Sequence, residues 1–104
     1  MIYNERKGAG MKITANLYAT YRAIAGGKTI VVDLPDKADI LQAVQELVQK
    51  EPKLRPHWLN AEGALTQHLL VFVNGADVTT LPDQWKTKLE EGDVVDFIPP
   101  VAGG

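Results

Sequence analysis

Cysteine and serine are both absent from this 104-residue chain. Without cysteine there can be no disulfide, thiolate zinc site, iron–sulfur cluster or cysteine nucleophile. Without serine, a Ser-His-Asp hydrolase is impossible. Imidazole is scarce: His57 and His68 are the two histidines, too far apart in sequence for a helical metal pair. A chain this short of reactive side chains is not expected to carry an active site or a metal of its own. Excess positive charge is missing too. Eleven Lys and Arg against thirteen Asp and Glu leave a net charge of −2, which argues against a nucleic-acid binder, because that role needs a basic stripe. No apolar run approaches the roughly 20 residues that span a bilayer, and the first thirty residues lack the apolar stretch of a signal peptide. A cytoplasmic protein without a membrane partner is the expectation. Hydrophobic residues make up 45% of the chain, enough for the core of one domain.

Residues 1–10 include the polar, glycine-containing run Asn4-Glu5-Arg6-Lys7-Gly8-Ala9-Gly10 and are expected to form a mobile extension. From Lys12 to Ala19 apolar residues alternate, with Ile13, Ala15, Leu17 and Ala19 on one side and Thr14, Asn16 and Tyr18 on the other. Period two means a half-buried strand. A helical turn over 19–25 is broken by Gly26-Gly27, and Thr29 to Leu34 alternates again as a second strand. Asp36 is the expected N-cap of the next element, with Asp39 in its first turn. Ile40, Leu41, Val44, Leu47 and Val48 then form the stripe of an amphipathic helix. Asp33, Asp36 and Asp39 resemble a metal cluster, but a strand end followed by a helix cap explains them more simply. Residues 52–68 are irregular, with Leu54, Trp58 and Leu59 expected to tuck against the domain and both histidines at the surface. Leu69 to Val73 is the strongest strand. Asn74-Gly75 turns the chain, a minor extended piece follows near Asp77-Val78, and Val94 to Ile98 makes the last strand after a solvated Glu90-Glu91-Gly92-Asp93 turn.

The order ββαββ, with a minor strand before the last, predicts a two-layer α+β domain over 11–98. One helix covers only one face of a mixed sheet. If Ile13, Leu17, Ile30, Val32, Val71, Val73, Val95 and Phe97 meet the helix, then Leu70, Phe72, Val94 and Ile98 face away. Such a contiguous apolar group marks either a partner surface or a face covered by the 52–68 loop.

The sequence closes on Phe97-Ile98-Pro99-Pro100-Val101-Ala102-Gly103-Gly104. Pro99-Pro100 cannot donate to a sheet and holds the chain extended, so residues 99–104 are expected to leave the domain as a flexible tail. A terminal Gly-Gly arises by chance in about one chain in two hundred at average glycine usage. Apolar, then stiff, then slim, this tail is shaped to thread into another protein's active site.

This tail, the Val71-Phe72-Val73-Asn74-Gly75 stretch, the Leu89 to Asp93 turn and the ββαββ order together resemble the MoaD/ThiS sulfur carriers. The resemblance covers residues 11–104 and implies a ubiquitin-like β-grasp fold with a protruding Gly-Gly tail. It also implies that a MoeB/ThiF-like enzyme, using its own ATP and metal, adenylates Gly104, with Gly103 before it. A sulfur donor then converts the carboxylate to a thiocarboxylate. The carrier itself binds no cofactor. Leu70, Phe72, Val94, Ile98, Pro99, Pro100 and Val101 are the expected partner-binding residues, toward that enzyme and toward an acceptor such as a MoaE-like large subunit or another sulfur-transfer enzyme. The Pro-Pro-Val-x-Gly-Gly ending is more similar to MoaD than to ThiS and implies molybdenum cofactor biosynthesis without proteolytic maturation. The longer excursion at 52–68 is similar to carriers serving tRNA thiolation or cysteine synthesis, or to small modifiers joined to lysines; thiamine synthesis also remains open. A non-reactive interaction module is the rival reading.

Overall fold

Alternating apolar residues build strand β1 (Met11–Leu17) and strand β2 (Thr29–Leu34), which pair antiparallel from Met11↔Leu34 to Asn16↔Thr29. The computed structural model describes residues 10–66 and 69–100. Between the two strands lies the short helix α1 (Thr20–Ala25), ended by Gly26 in the left-handed conformation. The long helix α2 (Ile40–Lys50) follows, then a 3₁₀ turn over Pro52–Leu54 and the four-residue helix α3 (Arg55–Trp58). Strands β3 (Leu70–Val73), β4 (Ala76–Asp77) and β5 (Val94–Ile98) complete a five-stranded mixed sheet in the order β2-β1-β5-β3-β4. β5 is parallel to β1 and antiparallel to β3. This is the predicted α+β, ubiquitin-like β-grasp arrangement.

Burial follows the alternation. Met11, Ile13, Ala15, Leu17, Val32, Leu34, Val71, Val73, Val95 and Phe97 point to the helix side and are buried. From α2 they meet Ile40, Ala43, Val44, Leu47 and Val48. Among the described residues no polar or charged residue is buried, so the core rests on apolar contact alone.

Three local expectations are corrected by the structure. Ala19 does not continue the inner face of β1: the strand stops at Leu17, and Ala19 is exposed at φ 51°, ψ −123°. The Tyr21 N–H donates to the Tyr18 carbonyl at 3.0 Å, closing a tight turn whose first central position normally takes glycine. The cap of α2 is Asp39, not Asp36. Pro35 to Ala38 forms a turn with Lys37 at φ 68°, and the Ala38 carbonyl accepts from the Leu89 N–H at 2.8 Å. That long-range bond delays the helix, and Asp39 makes the capping box instead. Its Oδ1 accepts from the Gln42 N–H at 2.9 Å, while Gln42 Oε1 accepts from the Asp39 N–H at 3.0 Å. The α2 stripe also uses Ala43 where Leu41 was expected; Leu41 is half-buried.

The hairpin between β3 and β4 is fixed by its turn. Asn74 (φ 49°) and Gly75 (φ 88°) both take positive φ, as a two-residue turn matching sheet twist requires. The Asn74 side chain also reaches β5: its Nδ2 donates to Asp93 Oδ1 at 2.9 Å and its Oδ1 accepts from the Val94 N–H at 2.9 Å. Asn74→Ala removes both bonds and strains the turn, and should cost about 1–3 kcal/mol in urea unfolding.

Candidate functional site

The last strand is the central strand of the sheet. β5 has a neighbour on each side, through Leu17↔Phe97 and Val71↔Phe97. Phe97 is fully buried and stacks on Trp58 at 4.4 Å between ring centres, with the planes 16° apart. Tyr21 meets the Trp58 ring edge-on at 5.5 Å. β5 is therefore held by two ladders and an aromatic stack one residue before its end at Ile98. Pro99 is half-buried and Pro100 exposed, and both line a recess of about 460 Å³ with Thr20, Tyr21, Pro56, His57 and Thr66. Burial pushes the Tyr21 phenol up, with the nearby Trp58 indole opposing. Among the described residues that indole Nε1 is buried with no acceptor within hydrogen-bond geometry. Val101, Gly103 and Gly104 lie outside the described residues, as does His68.

The sheet face away from α2 carries the second part of the site. Leu70 is 40% exposed, while Phe72, Val94 and Ile98 are partly exposed. Leu70 lies opposite Ile98 and Phe72 opposite Asp96, so Leu70, Phe72 and Ile98 are contiguous. Val94 sits two residues from Asp96 on the other side, beside Thr14. Of the 52–68 loop, Leu65 and Thr66 line a recess with Leu70, while its first part lies elsewhere. Leu54 and Trp58 are fully buried, and the Trp58 stack on Phe97 places that first part on the helix side.

Asp96 was missed in the sequence, although the alternation Val94, Asp96, Ile98 places it on this face. It is half-buried. Its Oδ1 accepts from Asn16 Nδ2 at 3.0 Å and from the Tyr18 hydroxyl at 3.4 Å, and Thr29 Oγ1 donates to Asn16 Oδ1 at 3.1 Å. Tyr18 and Val31, 37% and 51% exposed, extend the face.

Two of the three aspartates, Asp33 and Asp39, do local work. Asp33 pairs with Lys12 Nζ at 2.6 Å, and the ammonium holds its carboxyl below the usual range while Asp33 raises Lys12. Asp33's contribution is lost as pH falls through its lowered pKa, and that of Lys12 as pH rises through its raised one. Both side chains are largely exposed, so the pair is well screened. Asp39 caps α2. Among the described residues no three acidic or imidazole groups gather as a metal site. No described helix is long and apolar enough to cross a membrane.

The ThiS family model matches residues 15–104. The chain belongs to the ThiS family. Small archaeal modifier protein 3 of Haloferax volcanii is 32% identical over 90% of this chain and all of its own length. The crystal structure of small archaeal modifier protein 1 from the same organism superposes with a TM-score of 0.80 at 28% identity, covering 89% of this chain and 99% of that one. A putative molybdopterin converting factor, subunit 1, from Pyrococcus furiosus gives a TM-score of 0.71 at 26% identity, over 88% and 100%. Within this ubiquitin-like family the members compared are small modifier and converting-factor proteins.

Proposed function

We propose that this protein is a cytoplasmic sulfur carrier whose reactive group is the carboxylate of Gly104. The observation that carries the reading is the Gly103-Gly104 ending placed six residues beyond Ile98, the end of the clamped central strand. A carrier needs no catalytic side chain, only one carboxyl group presented on a rigid body. In this reading a MoeB/ThiF-like enzyme joins the carboxylate to AMP from ATP, releasing pyrophosphate. A sulfur nucleophile then displaces AMP and leaves a thiocarboxylate. Molybdenum cofactor synthesis with a MoaE-like acceptor is the favoured pathway, supported by the Pro99-Pro100-Val101-x-Gly-Gly ending and by the Pyrococcus relative's name. Attachment of Gly104 to protein lysines is a second reading, favoured by the names of the Haloferax relatives; it shares the adenylation step.

The test is intact-mass spectrometry after incubation with that enzyme, ATP and a sulfur source. Replacement of one oxygen by sulfur at the last residue is expected; its absence, with lysine conjugates present in cell extract, selects the modifier.

Leu70, Phe72 and Ile98, with Val94 beside them, serve here as the docking surface. Phe72→Glu should leave the melting temperature close to wild type, because the side chain faces out. Binding to the adenylating enzyme should weaken by about 2 kcal/mol or more, measured by calorimetry. A collapsed thermal transition would instead place Phe72 in the core.

A further inference from the structure

Asp96 breaks a local rule. Aspartate is poorly suited to strands, yet this one sits in the middle of the central strand on the open face. Its two hydrogen-bond donors, Asn16 and Tyr18, themselves point outward, and both reach Oδ1. Among the described residues no donor reaches Oδ2 and no cation lies within 4 Å. The chain of bonds from Thr29 through Asn16 holds the carboxylate in one orientation, among Phe72, Val94 and Ile98.

We propose that Asp96 is the charge-reading point of this face, and that the partner docking there brings an arginine to Oδ2. The proposal rests on the reading of the face as a docking surface. An apolar partner surface closing over Leu70, Phe72 and Ile98 strips water from Asp96. A carboxylate desolvated without a counter-charge opposes binding strongly, so a partner that seats on the apolar residues must also supply a cation. Arginine fits better than lysine. Its guanidinium gives up water more easily and stacks on aromatic rings, and two aromatic residues flank the carboxylate: Tyr18, whose hydroxyl touches it, and Phe72, opposite it on β3. A partner apolar throughout, or acidic at this point, is rejected by the same carboxylate.

The experiment titrates the purified MoeB/ThiF-like adenylating enzyme of the same organism with wild-type protein, Asp96→Asn and Phe72→Glu, at low and high salt. Asp96→Asn keeps the volume and can still accept from Asn16 and Tyr18, so its thermal melt should match wild type. Its binding should fall at least about tenfold, with a shallower salt dependence than wild type. If Asp96→Asn binds as tightly as wild type or tighter while Phe72→Glu loses binding, the apolar docking surface stands and the role of Asp96 is overturned. If both variants bind as wild type, the docking surface itself is wrong.

Discussion

Deleting Gly104, or adding one residue after it, should abolish formation of the thiocarboxylate while leaving the melting temperature unchanged. A carboxylate is a poor electrophile, and AMP supplies the leaving group that makes it reactive. The site that performs this step must enclose the carbonyl against water, so its approach is narrow. Gly103 and Gly104 present no Cβ to crowd it. Pro99-Pro100 lowers the entropy lost on threading, since that backbone is already restricted. Deletion moves the carboxylate back by one residue, about 3.5 Å, beyond reach of a nucleotide held at a fixed depth. Intact-mass spectrometry after incubation with enzyme, ATP and sulfur source reads the result directly. Full-length protein that never gains sulfur, together with a tail-extended variant that still supports the pathway in cells, removes the carrier reading in favour of an interaction module.

Trp58→Ala should carry the largest stability loss of any single change in the excursion. Trp58 is fully buried, stacked on Phe97 and met edge-on by Tyr21. Truncating a core aromatic of this size costs about 3–5 kcal/mol. For a domain of this length that lowers the melting temperature by about 12–30 °C. Trp58→Phe should lose much less, because it keeps a stacked ring and removes an indole N–H that meets no acceptor among the described residues. Urea unfolding of both variants checks the ordering. A loss under about 1 kcal/mol for Trp58→Ala would show that the 52–59 segment is not part of the core. The same variant should loosen the end of β5, because the Phe97 ring loses the surface it stacks on.

The alternation in β1, β2, β3 and β5 was legible because a side chain on a strand has only two faces to choose from. That choice alone places Leu70, Phe72, Val94 and Ile98 on the open face. Asp96 obeys the same rule and went unremarked because a lone carboxylate in a strand looks like an ordinary solvent-facing residue. Its meaning needs the neighbouring strands. Asn16 lies 80 residues away in sequence, and Phe72 faces Asp96 only through the β3–β5 register. The start of α2 was misplaced for a related reason. Asp36 and Asp39 are equivalent caps by composition, and a hydrogen bond from Leu89 to Ala38 decides between them.

By itself the sequence determined the fold class, the faces of the strands up to their ends, four of the five core positions of α2 and the glycine-ended tail. Each of these is written in local periodicity or in residues with restricted backbones. Only the tertiary structure decided that the first part of the excursion packs on the helix side and that β5 is clamped on both edges. It alone placed the Asp96 carboxylate, held by Asn16 and Tyr18, among apolar residues. Those outcomes depend on contacts between residues far apart in the chain, whose energies no local pattern encodes.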